Sequence, residues 1–269
     1  MSAPSAPEPP AKLEQKKYVV AFLDFLGASE KMRSPEESDK FLQQVNRIFN
    51  EILGLRDFEN NNKFIQIEDI KIKIFSDNIV IARECGCGNG SMECFTISKF
   101  CARLQGYALH YGLLLRGAIT MGNFYIDERF VYGEALVRAY DLESTVAIYP
   151  RIIMAGEVAD VTALQAYKGD PNKWIVPDSD GKWMVNFVSQ YTSGVDKKIA
   201  IQLIAAARRK ILDLFLPRPA LIPIKIRQKY HWLAVKFNEL CEMSGFRAQQ
   251  IVFTPMLEPD IAYFYEDEY

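Results

Sequence analysis

The spacing of apolar and polar positions divides the chain into short elements of alternating kind. Tyr18–Phe25 is an almost unbroken apolar run, Val- and Phe-rich, and predicts a buried strand closed by Gly27. Ser34-Pro35-Glu36-Glu37 predicts a helix start, with Ser34 as N-cap, Pro35 in the first turn and two acids at the positive end of the helix dipole. Phe41, Leu42, Val45, Ile48, Phe49, Ile52 and Leu53 recur at helical spacing up to Gly54, and Arg56–Lys63 is polar enough to predict a loop. Ile65–Phe75 alternates like a half-buried strand, Ser76-Asp77-Asn78 predicts a turn, and Ile79–Ala82 predicts the returning strand. The result is a hairpin with Asp77 at its tip.

Phe100, Leu104, Ala108 and Tyr111 predict a second helix ending at Gly112, followed by the strand Leu113–Thr120, which holds one arginine, Arg116. Glu134–Ser144 predicts a helix, Arg151–Ala155 a strand and Glu157–Tyr167 a short helix. Trp174–Val176 and Trp183–Phe187 predict closing strands around the turn Asp178–Gly181. After Gln190 the pattern changes to long helices. Leu203, Ile204, Ala207, Ile211, Leu212 and Phe215 share one face, with most basic residues off it. Pro217, Pro219 and Pro223 interrupt, and a second helix is predicted from about Ile224 to Met243. This order predicts an α+β fold: an antiparallel sheet with helices packed on it, plus a C-terminal helical extension. The expected boundaries are a disordered Pro-rich, charged arm over 1–17, a sheet domain over 18–190, and the extension with an aromatic, acidic tail over 191–269. A doubly wound nucleotide-binding unit is not expected, because no G-x-G-x-x-G or G-x-x-x-x-G-K-[ST] is present.

Composition narrows the function classes. The net charge is −2, which argues against a nucleic-acid binder, since such proteins carry a basic excess. No run of about twenty apolar residues exists to span a membrane, and the first seventeen residues lack the apolar core of a secretory signal. Five cysteines, an odd number without such a signal, predict a reducing, cytoplasmic location. The cluster Cys85, Cys87, Cys94 and Cys101 lacks C-x2-C spacing and a nearby histidine, so it reads as a reduced Gly-rich loop before a zinc site. The two histidines, His110 and His231, stand apart, which argues against histidine-based catalysis.

Two aspartates carry the chemistry. Asp24 interrupts the run Val19–Leu26, and Asp77 separates Ile74–Phe75 from Ile79–Ile81. A carboxylate is rare in an apolar strand unless something pairs with it. Asp24 alone could equally cap a turn at the strand end. With Asp77 in register, the pair could share two hard cations, an arrangement that activates an oxygen nucleophile and stabilises a phosphate leaving group.

Four segments in order, FLDFLG (Phe22–Gly27), FSDN (Phe75–Asn78), LRGAITMG (Leu115–Gly122) and GEALVRAYDLES (Gly133–Ser144), resemble the motifs of the class III nucleotidyl cyclases. The likeness runs over about Tyr18–Phe187. LDFLG, RAYDLES followed by YPRI, and KYHWLAVKFNE (Lys229–Glu239) look like the pyrimidine cyclases of bacterial Pycsar anti-phage systems. The resemblance implies a class III cyclase-like sheet, with 18–190 as the catalytic domain. The implied activity turns UTP or CTP into a 3′,5′-cyclic pyrimidine monophosphate and pyrophosphate. Cyclic UMP is favoured and cyclic CMP next, as messenger to an effector in anti-phage defence. It implies two divalent cations, Mg2+ or Mn2+, on Asp24 and Asp77 with a backbone carbonyl from Phe25. It further implies Arg116 on the nucleotide phosphates and Lys73 where purine cyclases read the base. The implied assembly is a head-to-tail homodimer with shared sites. The departures are Val137 and Asp141, at the places of the family's transition-state Asn and Arg, and Phe130, at the place of a second base-reading residue. Arg138 is a candidate replacement, and Phe130 suits a smaller, pyrimidine base. The alternatives are a purine (adenylate or guanylate) cyclase, or a catalytically silent dimer that senses a nucleotide.

Overall fold

The computed structural model describes residues 13–60, 70–86, 88–169, 173–215, 222–255 and 262–265. Its strands are β1 (Lys16–Phe25), β2 (Ile70–Phe75), β3 (Asn78–Glu84), β4 (Leu115–Ile126), β5 (Val131–Tyr132), β6 (Ile152–Met154), β7 (Ile175–Pro177), β8 (Trp183–Val185), β9 (Val252–Pro255) and β10 (Ala262–Tyr265). Its α-helices are α1 (Ala28–Arg33), α2 (Pro35–Asn60), α3 (Ser91–His110), α4 (Glu134–Thr145), α5 (Gly156–Gly169), α6 (Ser189–Thr192), α7 (Lys197–Asp213) and α8 (Ile224–Met243).

β1 lies inside the sheet, between β3 and β4. The main sheet runs β2-β3-β1-β4-β6-β8-β7, with β5 added to β4, and β9 and β10 form a separate pair. Every pairing in the main sheet is antiparallel except β4 with β6, where Gly117 stands opposite Ile152. That parallel pair follows from α4, which carries the chain across one face between the two strands. The sheet is thus mixed, in an α+β fold as expected.

Strand alternation gives the two faces different cores. Val19, Ala21, Leu23 and Phe25 point to one side, with Ile48 of α2, Ile97 and Leu104 of α3 and Val158 of α5. Tyr18, Val20 and Phe22 point to the other, with Val80, Ala82 and the α4 residues Ala135 and Ala139. A further cluster joins α7 and α8, through Ile204, Leu233 and Phe237, to Leu109, Leu114 and Phe187 at the flank of the sheet. Among the described residues no helix is long and apolar enough to cross a membrane.

Several elements differ from the sequence reading. β1 starts at Lys16, inside the expected arm. α1 follows Gly27, where no helix was expected. α2 runs through Gly54 to Asn60, replacing the loop expected from Arg56; a helical glycine is tolerated at about 1 kcal/mol. α3 begins at Ser91, so Cys94 and Cys101 are buried helix residues rather than loop residues. β4 continues six residues past Thr120, because Phe124 and Ile126 extend the buried alternation. The arm over 1–12, residues 65–69, Cys87, Pro217, Pro219 and residues 266–269 lie outside the described residues.

Candidate active site

Asp24 lies one residue before the end of β1, opposite Asn78 of β3 and Arg116 of β4. The period of two puts it on the α4 face with Val20 and Phe22, and puts Arg116 on that face too. The α4 residues that look down on this face are four apart: Ala135, Ala139 and then Glu143, all buried. The stripe therefore ends in an acid directly over Arg116. Arg116 Nε donates to Asp24 Oδ2 at 3.0 Å and lies 2.5 Å from Glu143 Oε1. The second contact lacks hydrogen-bond alignment, and Oε1 is buried without a hydrogen bond. It is a Coulombic contact only.

Gly117 explains why the arginine sits so low on the sheet. A Cβ there would stand 2.4 Å from Leu23 Cδ2 and 2.5 Å from the Phe22 carbonyl oxygen, so only glycine lets β4 close on β1 at this level.

Asp77 occupies the two-residue turn between β2 and β3. Ser76 supplies the positive φ, 58°, that this tight connection needs at its first position. The Asp77 carbonyl accepts from the Phe25 N–H at 3.1 Å, which fixes the hairpin tip to the end of β1. Its Oδ1 accepts from Asn78 Nδ2 at 3.1 Å.

The electrostatics favour an added cation. The Asp24 side chain is 16% exposed and that of Glu143 3%. Burial pushes the Asp24 carboxyl above its usual range; Arg116 opposes this and the charge of Asp77 adds to it. Burial also raises Glu143, again opposed by Arg116 and reinforced by Asp24. Lys229, from α8, feels Arg116, Asp24 and Glu143, and burial lowers its ammonium below the usual value. Three carboxylates thus face two cations.

No group of three His, Cys, Asp or Glu side chains among the described residues could hold a metal alone. Asp24 Oδ1 and Asp77 Oδ2, however, accept no hydrogen bond among the described residues. Two open carboxylate oxygens with like-charge repulsion between them fit a hard divalent ion that completes its shell with water or ligand phosphate.

The other candidate residues lie elsewhere. Phe25 turns its ring into the core, edge-on to Phe41 with centroids 5.6 Å apart. Lys73 shares the Asp24 face of the sheet but stands on the edge strand β2, and its ammonium donates to the Glu128 carbonyl. Phe130 lies beyond that same β4–β5 turn, with its ring 5.4 Å from Tyr125. Asp127 fixes the turn by accepting from the Phe130 and Arg129 N–H groups and the Tyr125 hydroxyl, which hold its carboxyl far below the usual range. Lys73 and Phe130 are therefore joined through one turn. Arg138 is bound to Glu157 at 2.6 Å, apart from the Arg116 contacts. Val137 is 59% exposed and Asp141 exposed, both turned away from the sheet.

Sequence reasoning missed Glu143 and Lys229. Both lie inside segments that carry the family resemblance, GEALVRAYDLES and KYHWLAVKFNE. The signal for Glu143 was its spacing of four from Ala139 and Ala135.

No protein-family model and no curated protein sequence matches the chain. Among solved structures, it is similar to the guanylyl cyclase Cya2, with TM-score 0.44 and 13% identity over 64% of this chain and 93% of the other. It is also similar to a bacterial light-regulated adenylyl cyclase, with TM-score 0.42 and 13% identity over 72% and 99%. A third is a class III adenylyl cyclase-like ATP-binding protein from Pseudomonas aeruginosa, with TM-score 0.42 and 10% identity over 72% and 41%. These likenesses assign no chemistry to this chain.

Proposed function

We propose that the protein is a divalent-cation-dependent nucleotide cyclase that joins the ribose 3′-oxygen of a nucleoside triphosphate to its α-phosphorus and releases pyrophosphate. The observation that carries this reading is the pair Asp24 and Asp77. They are tethered through the Phe25 N–H, each has one open carboxylate oxygen, and Arg116 lies beside them. When bound there, Mg2+ or Mn2+ supplies the charge that acidifies the 3′-hydroxyl and neutralises the leaving pyrophosphate. Asp24 and Asp77 hold the ions. Arg116 orients the phosphates once it turns from the carboxylates to the substrate, so positioning and charge stabilisation do the work.

The preferred substrate is a pyrimidine triphosphate. Phe130 narrows the base site, and Lys73 has donors left over for the O4 carbonyl of uracil. Cytosine offers an N4 amine there, and an unmatched donor in a closed pocket costs about 1–3 kcal/mol. UTP is therefore favoured over CTP. The cyclic product serves as messenger to an effector in anti-phage defence, as the resemblance to the Pycsar cyclases implies. A silent nucleotide sensor is the second reading, favoured by the outward Val137 and Asp141. A panel of the four nucleoside triphosphates with Mg2+ or Mn2+, read by product mass, tests all of this. Cyclic UMP is expected as the main product, with Asp24→Ala and Asp77→Ala reduced to background while still folded. Cyclic AMP or GMP as main product would overturn the pyrimidine assignment, and full activity in either variant the site. Binding without turnover would establish the sensor.

A further inference from the structure

α8 is fastened to the sheet by residues of one face. Trp232 stacks on Tyr149, with centroids 5.2 Å apart and planes 7° from parallel. Lys236 pairs with Asp178 at 2.7 Å, and the same aspartate receives Arg151. Arg151 and Lys236 each lie 5.9 Å from the Trp232 ring. Leu233 closes a small cavity of about 10 Å3 with Leu114 and Leu115, where β4 begins. The Leu114 carbonyl accepts from the Leu26 N–H at 2.9 Å, so this contact lies at the paired ends of β1 and β4, next to Asp24 and Arg116.

Lys229 precedes Leu233 by one helical turn, and residues four apart share a helix face. The anchoring of α8 thus brings Lys229 to the acid cluster, where it is half-buried. Until it turns to the substrate, Arg116 is held by two carboxylates. Lys229 interacts with Asp24, Glu143 and Arg116 through space, and no ion pair or hydrogen bond of its ammonium exists among the described residues. A lysine that served only to neutralise the acids would be in contact with one. A triphosphate arriving beside three carboxylates needs a cation that is not already taken, and a lysine ammonium suits phosphate as a compact point charge.

We propose that Lys229, supplied by the C-terminal extension, is a triphosphate-binding residue of the site and takes a non-bridging oxygen of the β- or γ-phosphate when the nucleotide enters. This rests on the cyclase reading and extends it to a helix outside the sheet domain.

The test compares wild type, Lys229→Met and Lys229→Arg in Mg2+. Calorimetric titration with inorganic tripolyphosphate is run beside steady-state cyclisation of UTP, with melting temperature as a check on folding. For Lys229→Met, the tripolyphosphate Kd and the KM for UTP are both expected to rise by about tenfold to a hundredfold. Lys229→Arg is expected to recover most of both. If wild type cyclises UTP and Lys229→Met keeps its Kd and KM within about twofold, this inference alone falls. A fall in kcat with Kd and KM unchanged overturns it as well. A wild-type chain that neither binds tripolyphosphate nor forms a cyclic product overturns the cyclase reading and this inference together.

Discussion

Arg116 serves two carboxylates, and the balance between them governs how freely Asp24 can receive a cation. Glu143→Gln removes one claimant while keeping its shape. Arg116 should then settle on Asp24, and the Mg2+ concentration for half-maximal cyclisation should rise. A Mg2+ titration identical to wild type would show that Glu143 has no hold on Arg116. Gly117→Ala is expected to destabilise by overpacking, by about 1–3 kcal/mol in urea unfolding, because its Cβ meets Leu23 and the Phe22 backbone. Asp24 and Arg116 were legible in the sequence because a charge inside an apolar strand is a local anomaly, and Asp77 because it sits at the turn between two apolar runs. Glu143 was not, because an acid on a helix is ordinary. The spacing of four from Ala135 and Ala139 hints at it, but it is the packing of those two on the sheet that shows the next residue of the stripe facing inward.

The anchoring of α8 depends on charge. Burial alone would raise the Asp178 carboxyl, but Lys236, the Ser179 N–H and Arg151 together hold it below the usual range. Burial alone would lower Lys236, but Asp178 and Glu239 hold it above. The carboxyl contributes stability above its unfolded value of about 3.9 and loses it as pH falls through the lower folded value. The ammonium contributes below about 10.4 and loses it as pH rises through the higher folded one. The anchor should hold across neutral pH and open in acid below about pH 4. Hydrogen exchange along α8 should accelerate there before the β1–β4 core exchanges; equal protection of α8 at pH 7 and pH 3 would contradict this. Asp178→Ala leaves Arg151 to Asp180 alone and Lys236 to Glu239 alone, both at the edge of solvent, and should cost less than the ~3–5 kcal/mol of a buried charge left with no partner. The limits of α8 and the turn of the β2–β3 hairpin were readable because periodicity and punctuation agree there. The second half of β4 was hidden, because Gly122-Asn123 reads as a turn locally and is held extended only by pairing with Tyr18 and Lys17.

At the scale of the molecule, the Asp24 face is covered by α4 over β1 and β4 but left open towards β2. Phe75 and Tyr140 stay exposed beside Phe22. Apolar surface in the open needs a cover, and this is where the proposed head-to-tail homodimer would form. Sedimentation at micromolar concentration should show a dimer; a monomer with full turnover per chain would refute it. Asp24 and Arg116 are paired within one chain, so variants of these two residues should not complement each other on mixing. Asp24→Ala mixed with Lys73→Ala should recover activity if the base site belongs to the partner, because one composite site is then intact. The α+β class was readable from element order alone. The single parallel pair was not, since nothing local in β6 distinguishes its direction.

The docking of α8 also has a consequence in time. Every strand of the main sheet leaves the ribosome before α8 does. Until that helix arrives, Leu109, Leu114 and Phe187 at the flank of the sheet have α7 beside them but lack the contact that Leu233 of α8 makes with them. A nascent or prematurely terminated chain would therefore present a surface suited to chaperones or to aggregation, and would lack Lys229 at the acid cluster. The site would then be complete only once α8 has been made and has docked.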